Sequence, residues 1–516
     1  MLAASSRPRA ASKLALASAV RAISSNRPRA SRTSHGSLNA FDLQHLEDRK
    51  LFAGGPLGVK VIDNVLAITG TAKDDQIIVV QSGSRFVVQN GSWRKQYTGH
   101  FDGIQVSAKN GNDQVIVRSA DDLPVTLSGG NGNDLLVGAD GDDQLIGGAG
   151  NDRLVGMGGN DWEWGDAGND VIDGSNGDDN LYGGAGNDRL SGGNGDDVIV
   201  SIGGGDRDSV QGGNGFDSFW ADDSYNERIL DASSDELDNH AVHRVASFEP
   251  EFGYSVSKEL NGQDLLDPDL ISGDGTVYQD FGSHYLFSAD GPTLDDVNQG
   301  ALGDCYFLAQ VGSFAQVNPN IIRQSVVDLG DGTFAVQFVD DYGAPTFYRV
   351  DGELPVNDSG ELAYAGFGAD DSVWVGIMEK AWCFAHNDGD NASLDQGGFS
   401  IDVAKAMGHD GLDVDTNDVT VGTMMDSIET AIGNGMSVTA GTYGDLPENG
   451  VLVAGHAYTV VGVERGDDGA TYLVVRNPWG IDNDPNTRDG NQDGYVYLTT
   501  SEAWGLFRHF AIADAS

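Results

Sequence analysis

One cysteine near the middle of the chain stands where a helix is predicted to begin. Cys305 lies in the stretch Gln299–Ala309, with the sequence QGALGDCYFLA, just after a turn marked by Gly300 and Gly303. The N–H groups of a first helical turn lack intrahelical partners and carry partial positive charge, which lowers the pKa of a thiol placed there. A thiolate attacks carbonyl carbons at neutral pH, so this spacing predicts a nucleophile.

A histidine and an asparagine downstream supply the other groups that such a nucleophile needs. His456 opens the run HAYTVVGV, whose β-branched and aromatic residues predict a buried strand. The next predicted strand ends at Asn477, which is followed by Pro478 and Trp479 and therefore leaves the sheet beside His456. The Asn477 amide is placed to accept a hydrogen bond from the imidazole N–H. The alternative interpretation of Asn477-Pro478 is an ordinary turn that ends a strand.

Together these blocks resemble the catalytic core of calpain-type, papain-like cysteine proteases. They read Gln-Gly-x-x-Gly-Asp-Cys, Gly-His-Ala-Tyr and Arg-Asn-Pro-Trp-Gly, and they occur in the family's order. The segment Trp374–Trp382 is similar to the family's tryptophan-containing helix, and the resemblance extends from roughly Leu260 to the C-terminus. Tyr306 is a departure, since the family usually has tryptophan there. The resemblance implies a papain-like α+β domain.

The resemblance also implies catalytic roles for five residues. Cys305 would be the nucleophile, His456 the general base and acid, and Asn477 the group that orients the imidazole. Gln299 would donate to the oxyanion, the alternative being an ordinary loop residue, and Trp479 would shield the Asn–His hydrogen bond. Each oxyanion donor contributes about 3 kcal/mol in the transition state of such a reaction.

The cysteine count limits the covalent chemistry of the chain. The only two cysteines are Cys305 and Cys383, so a disulfide would consume the predicted nucleophile. We therefore expect no disulfide framework. Cys383 falls in an apolar run after Glu379 and is expected to be a small buried residue on a helix.

A nine-residue repeat fills residues 129–200. The copies follow the form Gly-Gly-x-Gly-(Asn/Asp)-Asp-x-apolar-x, and eight of them follow one another without a change of length. Four copies have another residue in place of the second glycine: Ala139, Met157, Asp166 and Ser175. Each copy predicts a glycine turn and a short strand, and stacked copies form a parallel β-roll whose turns alternate between two edges. Glu163 takes the inward position of the fourth copy, where we expect a weak or bent turn. The other inward positions are apolar: Leu136, Leu145, Leu154, Ile172, Leu181, Leu190 and Ile199.

An aspartate at the sixth position of every copy predicts metal binding. Carboxylates and the carbonyls of glycine turns are the hard oxygen ligands that calcium prefers. The region resembles the RTX calcium-binding repeat, with each ion shared between turns eighteen residues apart. Because the carboxylates repel one another without metal, we expect the roll to fold when calcium binds. The alternative is an acidic flexible linker that binds no metal. The ligands implied by the resemblance are Asp134, Asp143, Asp152, Asp161, Asp170, Asp179, Asp188 and Asp197.

Length and charge agree with a protein of two folded modules. The chain has 516 residues, with 30 basic and 79 acidic side chains and a net charge of −49. Such a charge repels nucleic acid and anionic membranes and makes calcium the natural counterion. We therefore expect calcium ions and protein substrates as partners, and no nucleic acid.

The beginning of the chain is basic instead of acidic. Its apolar stretch Leu14–Val20 is too short to span a bilayer, and no other segment approaches transmembrane length. Leu46–Ala53 resembles an element found ahead of large bacterial secreted and surface proteins. The basic residues that precede Asp42, the first acid, are Arg7, Arg9, Lys13, Arg21, Arg27, Arg29 and Arg32.

Four parts are predicted along the chain. Residues 1–55 form a disordered basic leader or targeting segment, and residues 56–231 form the β-roll with its capping ends. Residues 232–262 form an acidic connector, and residues 263–516 form the papain-like α+β domain. The predicted fold is therefore a parallel β-roll followed by a separate cysteine protease domain.

These patterns predict a calcium-dependent cysteine endopeptidase that is secreted or associated with a bacterial cell surface. The alternative is a calcium-binding surface or matrix protein whose protease-like domain has become an inert binding module. The complete set of Cys305, His456, Asn477 and Gln299 favours the enzyme. Outside the reducing cytoplasm, oxidation of Cys305 becomes a hazard.

Overall fold

The computed structural model describes residues 56–515 with short internal gaps. The predicted leader, residues 1–55, lies outside the described residues. The chain divides into two compact units, Met1–Ala246 and Ser247–Ser516. The gaps are residues 120, 204–206, 225–226, 250–255, 259, 261, 263–264, 272–274, 388, 447–450, 467–468 and 482–492.

The first unit is a β-solenoid made of two sheets, called sheet A and sheet B here. Sheet A has the strand order β1 (Gly58–Ile62), β2 (Val65–Thr69), β6 (Gly103–Asn110), β8 (Val125–Asn131), β10 (Gln144–Ala149), β12 (Trp162–Ala167), β14 (Asn180–Tyr182), β16 (Val198–Ser201), β18 (Ser218–Asp222) and β20 (Val242–Val245). Sheet B has the order β19 (Arg228–Ile229), β17 (Ser209–Asn214), β15 (Arg189–Asn194), β13 (Val171–Asn176), β11 (Arg153–Val155), β9 (Leu135–Val137), β7 (Gln114–Arg118), β3 (Gln76–Ser82), β4 (Arg85–Asn90) and β5 (Trp93–Thr98). Parallel pairing holds through the repeats, and the β1–β2, β3–β4 and β4–β5 pairs are antiparallel.

The nine-residue period explains this arrangement and confirms the predicted roll. Leu136 pairs with Leu154 in sheet B, and Leu145 pairs with Glu163 in sheet A, so successive copies alternate between the sheets. Each inward leucine or isoleucine of the repeats is at most 2% exposed. The turns need glycine: Gly150 has a φ of 138°, and a side chain there would collide with the Gly132 carbonyl.

The solenoid continues past Asp231, where the pattern predicts its end. A short helix, α1 (Ser234–Asp238), is followed by β20, which pairs in parallel with β18. Glu236 Oε1 accepts from the Asp217 N–H over 3.1 Å and so takes the place of the next repeat aspartate. His243 stacks on Trp220 at 3.8 Å between ring centroids. These contacts need no Gly-Asp motif, which is why the predicted connector contains one solenoid strand, β20.

The second unit contains helices packed against antiparallel sheets. Its α-helices are α2 (Cys305–Val317), α3 (Pro319–Ser325), α4 (Trp374–Asn387), α5 (Asn391–Leu394), α6 (Ser400–Ala406), α7 (Val421–Gly433) and α8 (Thr500–Leu506), and its 3₁₀ turns are Leu294–Asp296, Ala369–Asp371 and Thr416–Asp418. One sheet has the order β26 (Gly411–Asp415), β31 (Phe507–Ala513), β27 (Ser437–Thr442), β28 (Ala457–Arg465), β29 (Thr471–Arg476) and β30 (Tyr495–Thr499). Smaller sheets pair β22 (Val326–Asp328), β23 (Thr333–Val339) and β24 (Pro345–Asp351), and β21 (Val277–Asp280) with β25 (Glu353–Val356).

Two hydrophobic cores hold this unit together. One surrounds α2 and α4, where Phe307 stacks on Trp382 with 5.3 Å between ring centroids. The other lies between α7 and the larger sheet, with Ile428 and Leu473 fully buried. This is the predicted α+β architecture. In the described part of the chain, no helix is both long and apolar enough to cross a membrane.

Candidate active site and metal sites

The adjacent antiparallel strands β28 and β29 bring His456 and Asn477 together. His456 comes directly before β28, and Asn477 comes directly after β29. The register pairs Thr459 with Arg476, so the end of one strand lies beside the start of the other. The His456 Nε2 atom lies 2.9 Å from Asn477 Oδ1.

The hydrogen bonds of the Asn477 amide determine which imidazole nitrogen carries the proton. Asn477 Nδ2 donates to the Ile481 carbonyl over 3.0 Å, so Oδ1 is the atom that faces the ring. Oδ1 accepts from the Trp479 N–H at 3.1 Å and, since an amide oxygen cannot donate, from His456 Nε2–H. In the neutral ring Nδ1 is therefore unprotonated and available as a base.

Two hydrogen bonds fix the main chain of His456, and two aromatic rings pack against its imidazole. Its N–H donates to Thr442 Oγ1 over 2.9 Å, and the Thr442 N–H donates back to the His456 carbonyl over 2.9 Å. Trp479 lies 4.8 Å from the imidazole, and Tyr458 presents its edge at 5.0 Å, both between ring centroids. The ring therefore has little rotational freedom.

Cys305 is the first residue of α2 and lies beside the histidine strand. The N–H of Ala457, the residue after His456, lies 3.4 Å from Cys305 Sγ and donates to it. The helix is fixed to the sheet farther along, because Thr459 Oγ1 donates to the Ala309 carbonyl over 2.8 Å. The thiol and the imidazole thus sit on two elements that are tied together.

Burial opposes charge on both groups in this structure. Loss of solvation raises the pKa of the Cys305 thiol to about 11, although the Ala457 N–H opposes that rise. The same cause lowers the pKa of His456 to about 4, against the effect of the Asn477 hydrogen bond. The predicted low thiol pKa is therefore absent here, because desolvation of a side chain only 9% exposed outweighs the helix terminus. At neutral pH burial therefore favours thiol and imidazole over thiolate and imidazolium.

Gln299 lies beside this group with its side chain turned away. Its N–H donates to the Pro478 carbonyl over 2.8 Å, which places its main chain next to Asn477. Its Nε2 donates to the Leu302 carbonyl over 2.5 Å, and its Oε1 is buried without a partner among the described residues. The structure thus brings Cys305, His456, Asn477 and Trp479 together. An oxyanion role for Gln299 requires rotation of its side chain and stays a prediction.

Two buried carboxyl groups lie behind the nucleophile, and neither was predicted as a functional residue. Asp304 precedes α2, and Glu379 comes from the middle of α4; each carboxyl group shifts the pKa of the other, and Asp304 Oδ2 and Glu379 Oε1 have no other partner among the described residues. Burial raises the pKa of Asp304 to about 7 and that of Glu379 well above its usual range. The pair therefore holds a proton at neutral pH. A glutamate in the apolar run WVGIMEKAW was the only sequence signal for it.

Substitution of Glu379 tests what the Asp304–Glu379 pair contributes to the stability of the fold. Glu379→Gln keeps an N–H donor toward Asp304, whereas Glu379→Ala leaves that carboxyl without its partner. We expect the alanine variant to lose about 3 kcal/mol of unfolding free energy at pH 7 and the glutamine variant about 1 kcal/mol. Urea unfolding of the full chain, followed in the protease domain, measures both.

The pH dependence supplies the control for that experiment. A carboxyl whose folded pKa is raised stabilises the fold fully below its unfolded pKa, near 4, and loses that contribution as the pH rises through its folded pKa. Asp304 can protonate at pH 5, so the deficit of Glu379→Ala should shrink there. Equal losses in the two variants, or a deficit that does not change with pH, would contradict the shared-proton interpretation.

In the solenoid, each repeat aspartate bonds to the turn before it, and together they form two aspartate ladders, one along each edge. The Asp134 N–H donates to Asp152 Oδ1 over 2.7 Å, and the Asp143 N–H donates to Asp161 Oδ1 over 2.8 Å. The ladders also include aspartates that the nine-residue pattern left out: Asp75, Asp113, Asp208 and Asp217.

The second carboxylate oxygens of the ladders fit a hard cation. Oδ2 is buried without a partner among the described residues in most of the predicted ligands: Asp134, Asp152, Asp161, Asp170, Asp179, Asp188 and Asp197. A Cβ on Gly129 would collide with Asp134 Oδ2 and with the Gly147 carbonyl, so this space is lined by oxygen. Asp143 differs, since its Oδ2 accepts from the Ala139 N–H over 2.6 Å. Among the residues described, no three acidic, imidazole or thiol side chains converge, so most ligands would be carbonyls.

Without a cation, burial and mutual repulsion disfavour ionisation of these carboxyl groups. Desolvation and neighbouring carboxylates raise the pKa of Asp161 to about 10 and that of Asp170 to about 8. Glu163 is fully buried between Leu145 and Leu181 of the neighbouring strands, and its two carboxyl oxygens have no partner among the described residues. Burial raises its pKa well above the usual range. In the described part of the chain, the fourth copy therefore places an unpartnered acid in the solenoid interior, and a weak or bent turn there stays a prediction.

Comparison with known proteins identifies both modules. Residues 278–488 match the family model of the calpain family cysteine proteases. Residues 128–163, 164–199 and 202–224 match the model of the RTX calcium-binding nonapeptide repeat. Both predicted resemblances are thereby confirmed, and the chain carries a calpain-type protease domain and RTX repeats.

Individual relatives match the second module. Human calpain-14 is 30% identical over 195 residues, which are 36% of this chain and 28% of that protein. The calpain-2 catalytic subunit of Gallus gallus is 29% identical over 250 residues, or 43% of this chain and 35% of the relative. The calpain-type cysteine protease DEK1 of Zea mays is 28% identical over 197 residues, with 9% of its length covered. The chain thus spans about a third or less of these relatives.

A solved structure also aligns, though weakly. SERA5E from Plasmodium falciparum covers 44% of this chain and 93% of its own, with 12% identity and a TM-score of 0.20. A likeness at this level is too low to define the fold.

Proposed function

Because residues 278–488 form a calpain-type cysteine protease domain beside RTX repeats, we propose that the protein is a calcium-dependent cysteine endopeptidase. Its nucleophile is Cys305, its general base and acid is His456, and Asn477 orients the imidazole. The single observation that carries the proposal is the 2.9 Å contact between His456 Nε2 and Asn477 Oδ1 beside the Cys305 thiol.

The geometry supports a defined proton path. His456 Nδ1 takes the thiol proton as Cys305 Sγ forms a bond to the carbonyl carbon of the substrate. The oxyanion that results is stabilised by main-chain N–H groups at the start of α2 and by the Gln299 amide after rotation. His456 then gives the proton to the leaving amine as the C–N bond breaks, and water hydrolyses the thioester.

The neutral state of the pair affects how the reaction begins. Burial raises the pKa of the thiol and lowers the pKa of the imidazole, so it favours the neutral pair until substrate is bound. Trp479 covers the imidazole and keeps water from its hydrogen bond to Asn477. Closure of substrate over Cys305 would further exclude water, which strengthens the electrostatic contacts of the site.

Calcium is the proposed ligand of the aspartate ladders. The residues that would hold it include Asp152, Asp161 and Asp170, whose free Oδ2 atoms are buried next to glycine carbonyls. When bound, the ion supplies positive charge that neutralises these carboxylates. RTX repeats support a secreted or cell-surface location. The proposed protease module is residues 263–516, and the proposed roll of residues 56–231 extends through β20 into the 232–262 connector.

Cleavage of casein, an unstructured protein, tests the proposed function. The full chain should cleave casein in millimolar calcium under reducing conditions, and excess chelator should reduce the rate at least tenfold. Gel electrophoresis and mass spectrometry of the fragments measure this. Lack of cleavage by protein whose Cys305 is shown to be reduced would favour the alternative, a protease-like binding module.

A further inference from the structure

The outer face of sheet B carries arginines in register. One outward position is the first residue of five successive strands, and it alternates between arginine and a small neutral or apolar residue. The pairings are Arg153 with Val171, Val171 with Arg189, Arg189 with Ser209, and Ser209 with Arg228. We call Arg153, Arg189 and Arg228 the arginine row. All are exposed.

The spacing of the row is regular because the sheet is regular. Neighbouring strands lie about 4.8 Å apart, so arginines on alternate strands lie about 9.6 Å apart along the solenoid axis. Arg207 adds a further exposed guanidinium near Arg189 and Arg228. A surface groove of about 910 Å³ is lined by Arg189, Arg207 and Arg228, by Asn187 and Ser209, and by the ladder aspartates Asp170, Asp188 and Asp208.

The four guanidinium groups are available for a ligand. Within the part of the chain that the structure describes, none of them forms an ion pair with an acidic side chain. This is unexpected in a chain of net charge −49. Surface arginines usually find carboxylates when acids are abundant, so the row differs from what the composition leads one to expect.

The edge of the solenoid next to the arginine row carries less negative charge at the fifth repeat position than the opposite edge. The edge next to the row has asparagine at the fifth repeat position: Asn133, Asn151, Asn169 and Asn187. These amides form an exposed ladder, in which Asn169 Nδ2 donates to Asn151 Oδ1 over 3.0 Å. The opposite edge has mostly aspartate at that position: Asp142, Asp178 and Asp196, with Asn160 as the exception. An eighteen-residue pattern thus lies over the nine-residue one and separates the charges.

We propose that the arginine row is a binding site for a linear acidic polysaccharide that lies along the solenoid axis. One pyranose ring advances such a chain by about one strand spacing, so acidic groups on alternate rings match the row. Guanidinium groups bind carboxylate and sulfate in a planar, two-pronged geometry. The neighbouring asparagine amides donate to and accept from sugar hydroxyls.

Single-stranded nucleic acid fits this face less well. Its binding sites combine basic residues with aromatic side chains on which bases stack. The positions two residues after each row position hold no aromatic side chain. Their residues are Val155, Asp173, Ser191, Gln211 and Leu230. The overall charge of the chain also disfavours a nucleic acid.

The site can be tested without peptidase activity. The full chain with Cys305→Ala, in calcium, is titrated with fluorescent oligosaccharides of chondroitin sulfate and of polygalacturonate, which separate sulfate from carboxylate recognition. Arg153→Ser, Arg189→Ser and Arg228→Ser are combined in one variant, because Ser209 already occupies the same position in the fold. We expect binding of at least one oligosaccharide to weaken tenfold or more and to lose part of its salt dependence.

A control variant removes the same charge elsewhere. Arg85→Ser, Arg94→Ser and Lys95→Ser change exposed residues on β4 and β5, at the other end of sheet B. This variant should bind nearly as well as the parent. Equal weakening in both variants, binding of neither oligosaccharide by the parent, or tighter binding of oligodeoxythymidylate than of either oligosaccharide would overturn the proposal. Hydrogen exchange of the repeats in calcium confirms that the variants fold.

Discussion

Replacement of Cys305 by alanine is expected to reduce casein cleavage by about a thousandfold or more, because removal of a nucleophile removes every covalent step of this mechanism. The substitution deletes one Sγ atom that accepts a hydrogen bond from Ala457, so the fold should be nearly unaffected. The measurement is the rate of casein cleavage in millimolar calcium. Cleavage by the variant at the parent rate would exclude Cys305 as the nucleophile.

The second cysteine provides a matched control. Cys383 is fully buried on α4, and burial and nearby acids raise the pKa of its thiol above the range in which it ionises. Cys383→Ala should therefore keep most of the activity. In the parent protein, the Cys383 thiol should also resist iodoacetamide, whereas the Cys305 thiol should react slowly. Selective loss of activity in Cys305→Ala separates chemistry from the general effect of removing a thiol.

Removal of calcium is expected to unfold the repeats while the protease helices persist. In the Cys305→Ala protein, excess chelator at pH 8 should abolish amide protection in residues 129–217, because folding without calcium would bury carboxyl groups that are ionised in the unfolded chain. Protection in α2 and α4 serves as the internal control. Hydrogen exchange followed by mass spectrometry resolves the two regions. Full protection of the repeats in chelator would contradict calcium-dependent folding.

The stability of the calcium-free repeats should fall as the pH rises. Folding raises the pKa of Asp188 to about 6 and of Asp197 to about 8, above the value near 4 of an unfolded aspartate. Each such group stabilises the fold fully below pH 4, and that contribution is lost as the pH rises through the folded pKa. Chelator should therefore unfold the repeats more completely at pH 8 than at pH 5. Protons partly replace calcium at the lower pH.

The Glu163→Leu variant separates the effect of the interior acid on stability from that of the ladder aspartates. Leucine occupies the equivalent position in the strands on either side, at Leu145 and Leu181. Replacement of a buried unpartnered carboxyl by such a residue should stabilise the repeats by about 1 to 4 kcal/mol. The calcium concentration at the folding midpoint should therefore fall. A higher midpoint would mean that Glu163 takes part in metal binding.

Much of the solenoid could be predicted from the chain because its period determines both strand pairing and orientation. Leu136, Leu154 and Ile172 recur every eighteen residues, and the sheet pairs them in that order. The extension to β20 could not be predicted, because Glu236 and His243 make their contacts outside the nine-residue motif. Motif searches find repeats, but they do not find structures that replace a repeat with different residues.

The arrangement of the active site was predictable to the extent that strand ends determine it. An antiparallel pair places Asn477 beside His456 whatever the rest of the fold does. The protonation states were not predictable, because desolvation of Cys305 depends on packing from several elements distant in sequence. The Asp304–Glu379 pair has the same origin, since it joins the start of α2 to the middle of α4.

The two aspartate ladders have a consequence for how sequence changes combine. Each carboxylate serves as an acceptor for the neighbouring turn as well as a prospective ligand, so loss of Asp170 also leaves the Asp152 N–H without its acceptor. Substitutions at consecutive positions of one edge therefore interact and their free-energy effects do not add, whereas substitutions on opposite edges act nearly independently. The repeats behave as two parallel chains of nearest-neighbour coupling, and epistasis along each edge sets how far the repeat sequence can drift.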